Sequence, residues 1–114
     1  MIGFLSMIPA DLVRTVQAVT GWNTSAWELL KVGERAINLP RVFNIREGFT
    51  AAEDVLPERF FQAQVSGPLS GLNKEDFAKA QHIYYEMRGW DPITGVPSKE
   101  KLEELDIGWA AELL

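Results

Sequence analysis

The apolar positions of this chain follow a helical rhythm, and no stretch of strict apolar/polar alternation is long enough to predict a strand. The first helix is predicted from Pro9 to Thr20. Proline suits a first helical turn, and Leu12, Val13, Val16 and Val19 fall on one face. Gly21 stands just past its end, where a left-handed residue is needed, and Trp22 is expected to fold back onto the last turn near Val16. A second helix begins near Thr24 or Ser25, with Ser25 and Glu28 spaced as a capping box. Leu29, Val32, Ala36, Leu39 and Phe43 carry its rhythm. Pro40 interrupts it. A proline inside a helix removes a bond and clashes one turn back, so a kink or break is expected near Leu39, with RVFNIREG forming a further turn or two that ends at Gly48.

Residues 48–72 read as irregular. Thr50 and Glu53 fit another capping box, but Pro57 leaves room only for a short helix. Glu58 to Phe61 add one turn, and SGPLSG is a loop by composition. Asn73 caps the next helix, Lys74 to Arg88, whose expected apolar face is Phe77, Ala80, Ile83, Tyr84 and Met87. Gly89 stops that helix and Trp90 is expected against Tyr84 or Tyr85. Turns at Asp91-Pro92 and Gly95-Val96-Pro97 lead to a last clear helix, Lys99 to Leu105, capped by Ser98, with Leu102 and Leu105 inward. Ile107-Gly108-Trp109 opens a short amphipathic tail. The predicted fold is all-α, a single helical domain over residues 1–114 with about four helices and irregular connections.

The dipeptide Gly-Trp occurs three times, at 21–22, 89–90 and 108–109. A helix stop with an apolar latch behind it explains the first two without a ligand. Tyr84 and Tyr85 are adjacent and point in different directions on a helix, so one is expected in the core and the other at its rim.

Composition narrows the chemistry. The chain has 114 residues and a net charge of −5, and the charge is uneven. Residues 1–46 carry five basic and three acidic side chains, whereas residues 47–114 carry six basic and thirteen acidic ones. An acidic second half argues against a nucleic-acid footprint, which needs a basic patch. With no cysteine, the chain has neither disulfides nor thiolate ligands for zinc or an iron–sulfur cluster, and its composition is compatible with a reducing cytoplasm. No run is long enough to span a bilayer, so no membrane role is expected. The opening MIGFLSMI is apolar without the marks of a signal peptide. It reads either as a segment cut from a larger packed body or as one that folds back onto this core.

No motif for catalysis emerges. His82, the single histidine, lies mid-helix without companions for a metal site and reads as a partly exposed helix residue. GPLSGLNK lacks the lysine spacing of a phosphate loop. The most polar stretch is Asn44 to Phe49 with Glu53, Asp54 and Arg59. Arg46 there could hold an anion bidentately or pair with Asp54 or Glu47 inside its own domain, and the structural role is favoured. No catalytic, cofactor-binding or metal-binding residue is assigned. Arg46, Glu47, Asp54 and Arg59 are kept as candidates for a polar network, structural or near a cavity.

Several motifs in one order carry a resemblance. Gly33-Glu34-Arg35, Asn38-Leu39, Phe43-Asn44, Arg46-Glu47-Gly48, Asp54 with Leu56-Pro57 and Arg59, and Tyr84-Tyr85 through Arg88-Gly89-Trp90 resemble the C-terminal part of the tungsten-containing aldehyde:ferredoxin oxidoreductases, from about Pro9 to Leu114. The resemblance implies a longer parent subunit that oxidises aldehydes to carboxylic acids. Its cofactors would be a tungsten or molybdenum bis-pterin and a [4Fe–4S] cluster, held by residues outside this chain. Its partners would be the rest of that oxidoreductase and ferredoxin, in the cytoplasm. This chain would be a scaffold of the cofactor cavity, without redox centres and inactive alone. A second reading is a free-standing interaction module, homodimeric through the first helix or MIGFLSMI. Three positions depart from the family pattern. They are Pro40 in place of a helix-compatible residue, Ala52 in place of a basic one, and Asp106 in place of glycine.

Overall fold

A computed structural model describes residues 9–62, 67 and 70–114. The segment MIGFLSMI and half of the SGPLSG loop lie outside the described residues. The elements are α1 (Pro9–Thr20), α2 (Ala26–Arg46), α3 (Lys74–Arg88) and α4 (Lys99–Glu104), with 3-10 turns at Ala51–Glu53, Glu58–Phe61 and Gly108–Leu113. The fold is all-α. Among the described residues the extended pairing is one isolated bridge between Trp90 and Pro97.

The chain divides into two compact units, Met1–Ile37 and Asn38–Leu114. In the first, Gly21 is left-handed with φ 71°. Its N–H donates to the Gln17 carbonyl at 2.9 Å, and the Gln17 side-chain amide donates to the Thr24 carbonyl at 2.8 Å, closing the turn. The Ser25 N–H donates to Glu28 Oε2 at 2.7 Å, and the Glu28 N–H to Ser25 Oγ at 3.3 Å, the reciprocal cap read from the sequence. Trp22 departs from expectation. It is 66% exposed, and its N–H donates to the Thr20 side-chain Oγ1 rather than to a carbonyl of the last turn.

Pro40 does not break α2, which runs through it from Ala26 to Arg46. Its fixed φ suits a helix, and the residues around it are held from outside the helix: Asn38, Arg41 and Val42 are buried. Tertiary burial offsets the missing backbone bond. The buried face of α2 is therefore Asn38–Arg41–Val42, while Val32 and Phe43 of the expected apolar rhythm are exposed.

The core of the second unit gathers Val42 from α2, Leu102 and Leu105 from the α4 region, and Ile107 and Ala110 after it. Both leucines are completely buried, as expected. Ser98 caps α4 by accepting from the Lys101 N–H at 3.1 Å. Asp106 takes φ 58°, the left-handed conformation that the expected glycine would adopt freely. In α3 the periodicity misleads. Ile83 and Met87 point to solvent at 54% and 81% exposure, and the residue that α3 buries is Tyr85. Phe77, Gln81, Tyr85 and Arg88 make its inner line, a mixed aromatic and polar face.

Candidate functional site

The end of α3 forms a complete Schellman stop. Gly89 is left-handed at φ 69°, its N–H donates to the Glu86 carbonyl at 3.0 Å, and the Trp90 N–H reaches back to the Tyr85 carbonyl at 2.9 Å. That last bond turns the Trp90 indole inward, where 7% of the residue remains exposed. A buried indole N–H needs an acceptor, and Asn38 Oδ1 supplies it at 2.8 Å. Tyr84 packs edge-on against Trp90 at 5.8 Å, while Tyr85 lies tilted beside it at 5.8 Å. Tyr85 is core and Tyr84 rim.

Arg41 sits at the centre. Its guanidinium lies over the Tyr85 and Trp90 rings at 5.7 and 5.1 Å. Nε donates to the Gly95 carbonyl at 2.9 Å, and Nη2 lies 2.6 Å from Asp54 Oδ2. The latter contact is an ion pair rather than an aligned hydrogen bond, because Nη2 is buried without an aligned acceptor. Tyr85 donates its hydroxyl to the same Asp54 oxygen at 2.5 Å. The Gln81 amide donates to the Asp54 carbonyl at 2.8 Å and to the Tyr85 hydroxyl oxygen at 3.0 Å. Burial pushes the Asp54 carboxyl up, but the close Arg41 guanidinium with its charge and the bond from the Tyr85 hydroxyl outweigh it, holding the group below the ordinary aspartate range. Burial, then the bond to Asp54, raises the Tyr85 phenol.

The loop after Trp90 completes the enclosure. Asp91 Oδ1 accepts from the N–H groups of Ile93 and Thr94 and from the Thr94 hydroxyl, which lowers its pKa, with the Thr94 bonds foremost. The Asp91 N–H donates to the Val96 carbonyl at 2.7 Å, and the Gly95 N–H returns to the Asp91 carbonyl at 2.8 Å. Gly95 has φ +66°, and a Cβ there would strike the Arg41 guanidinium and come within 2.8 Å of the Tyr85 ring. Beside this cluster an open cleft of about 420 Å³ is lined by Asp54, Phe77, Gln81, Tyr84 and Trp90, among others.

Of the four candidates from the sequence, only Asp54 enters this network. The pairing expected of Arg46 falls to Arg41, about a turn and a half earlier on α2. Arg46, Glu47 and Arg59 are exposed, the last with its guanidinium over Phe60 at 5.3 Å. Sequence reading missed Arg41, Asn38, Gln81 and Gly95. One signal was available: Asn38 and Arg41 share the helical face of Val42, and polar residues in such a register ask for buried partners. His82 is exposed and near Glu86, with 3.5 Å between Nε2 and Oε1.

Chemically, this is a clamp whose charges are spent on each other. Arg41, the one buried cation among the described residues, is committed to Asp54 and the Gly95 carbonyl. The described residues hold no group of three His, Asp or Glu side chains able to bind a metal, and the chain has no cysteine. The described residues therefore do not fit a metal ion, and a chain without cysteine has no thiolate to hold an iron–sulfur cluster.

Fold and clamp define an all-helical chain whose second unit is built around a cluster of mutually paired polar side chains. The model of the aldehyde ferredoxin oxidoreductase family, domains 2 and 3, matches residues 4–107, and the chain belongs to that family. The tungsten-containing aldehyde ferredoxin oxidoreductase of Pyrococcus furiosus is 38% identical over 101 residues, covering 85% of this chain and 16% of the relative. That of Thermococcus kodakarensis is 36% identical over the same shares. The WOR-like subunit of an aliphatic sulfonate oxidoreductase from Pyrococcus furiosus is 36% identical over 107 residues, 87% of this chain and 17% of that protein. The chain thus spans about a sixth of the length of the curated relatives it matches. Among solved structures, the active-site complex BamBC of benzoyl coenzyme A reductase with 1,5-dienoyl-CoA has the same fold. Its TM-score is 0.75 at 23% identity, covering 93% of this chain and 15% of that one. No described helix is long and apolar enough to cross a membrane.

Proposed function

We propose that this chain serves as the C-terminal helical domain of a cytoplasmic tungsten- or molybdenum-pterin oxidoreductase that converts aldehydes to carboxylic acids. Electrons would leave through a [4Fe–4S] cluster to ferredoxin. The redox groups belong to the rest of that polypeptide, and this domain forms one wall of their cavity. The observation that carries the reading is the Arg41–Asp54–Tyr85 clamp, in a chain of this family: its polar groups are engaged with one another and fix α2 against α3 within the second unit. Such a cluster supplies rigidity rather than reactivity.

The test replaces the matching segment of the Pyrococcus furiosus tungsten enzyme with this chain. The chimera is expected to load tungsten and to reduce a viologen dye with an aldehyde, while the chain alone does neither. Stoichiometric tungsten or molybdenum in the chain alone overturns the assignment of a scaffold. A folded, tungsten-loaded chimera without aldehyde oxidation overturns the activity.

A further inference from the structure

The first unit has no core of its own among its described residues. None of residues 10–37 is fully buried, whereas every buried hydrophobic lies in 38–114. The apolar stripe of α1 is covered along one edge only. Val13 and Val16 are half-buried or partly exposed at most, while Leu12 and Val19, seven residues apart and so on one line, are 46% and 81% exposed. In α2, Trp27 and Leu30 stand 66% and 62% exposed, and Trp22 in the connecting turn is 66% exposed. The 12-residue α1 and the first turns of α2, with uncovered apolar faces, gain too little from each other to hold their structure, since helical stability in proteins comes from packing. Large aromatic side chains gathered on one exposed element are the composition of an interface centre.

We infer that α1, the Trp22 turn and the first turns of α2 form a docking element, and that its occupant is an apolar surface of the remaining oxidoreductase polypeptide. This rests on the family reading above. Two observations choose that occupant over a second copy. The curated relatives carry about five-sixths of their length outside the matched region, and the solved neighbour holds this fold within a chain of which it covers 15%. The charges of the element also cancel, Asp11, Glu28 and Glu34 against Arg14, Lys31 and Arg35, so the surface it meets needs apolar area rather than opposite charge.

Hydrogen exchange read by mass spectrometry, on the full chain and on the chimera, tests this without reference to activity. Amides of residues 10–37 are expected to exchange at least about tenfold more slowly in the chimera than in the chain alone, with α4 little changed. The paired variant Trp27→Ser and Leu30→Ser should leave the unfolding midpoint of the chain alone unchanged and abolish the added protection in the chimera. Equal exchange of residues 10–37 in both forms overturns the docking element, even if the chimera is active. A dimer of the chain alone by light scattering, losing its mass in the paired variant, overturns the choice of occupant. A protected but inactive chimera supports the docking element and counts against the aldehyde chemistry alone.

Discussion

Gly21-Trp22 and Gly89-Trp90 end their helices with the same two letters and nearly the same glycine geometry, φ 71° and 69°. One tryptophan is 66% exposed and the other 7%. The backbone explains the first part of the difference. After α1 the glycine N–H returns to the Gln17 carbonyl but the tryptophan N–H takes the Thr20 hydroxyl two residues back, whereas after α3 the tryptophan N–H returns to the Tyr85 carbonyl, five residues back. The second part is chemical. Trp90 finds an acceptor in Asn38 and a cation in Arg41, and Trp22 has no such surroundings among the described residues of its unit. A helix stop thus decides where a side chain can go, and the polar groups waiting there decide whether it stays.

The largest break in this comparison is truncation of the two indoles. Trp90→Ala should lower the unfolding free energy by about 3–5 kcal/mol, the range for a buried tryptophan, and Trp22→Ala by less than about 0.5 kcal/mol. Urea denaturation of both variants checks this, and comparable losses would remove the distinction. Next comes the cation that Trp90 shares. Arg41→Met keeps the stem and removes the charge, leaving Asp54 unneutralised. With the Asp54 side chain 33% exposed, solvent screens part of the loss, which should be about 2 kcal/mol at neutral pH. The sign of the pH effect comes from the depressed pKa of Asp54. Its contribution is full above the unfolded value and is lost as pH falls through the folded one. The gap between wild type and Arg41→Met should therefore begin to narrow as pH falls below about 4 and close only once Asp54 is protonated in the folded state, and a constant gap would assign the loss to packing alone. The smallest contrast lies in the glycines. Alanine in a left-handed position costs about 1–2 kcal/mol at either site. At 89, where Lys101 already lies 3.2 Å from a built Cβ, the cost should appear in the global denaturation midpoint. At 21, in a unit without a buried core, it should appear as faster local exchange with the midpoint unmoved.

Local chemistry was legible in the sequence. The caps at Ser25, Thr50, Asn73 and Ser98 and the stop at Gly89 depend on residues three or four apart, and the structure forms each of them. Asp106, read as standing in place of a glycine, does occupy a left-handed turn. What depends on distant partners was not legible. Pro40 reads as a break because the residues that hold α2 together around it meet partners 54 positions away, as Arg41 meets Gly95. The inner line of α3 was misread because Gln81 and Tyr85 are turned inward by Asp54, a partner outside the helix. The same reason moved the expected ion pair from Arg46 to Arg41: both lie on α2, but only Arg41 shares the buried face with Asn38 and Val42.

Gly95 carries a consequence for sequence variation. Its backbone conformation, the Arg41 guanidinium and the Tyr85 ring each oppose a side chain there, and independently of one another. Shortening Arg41 would leave the ring in place, shortening Tyr85 would leave the guanidinium, and either change would leave φ +66°. No single second-site suppressor can then rescue a substitution at 95. In a mutational library the position should read as glycine in every genetic background, a fixed letter two places after the solvent-facing Ile93.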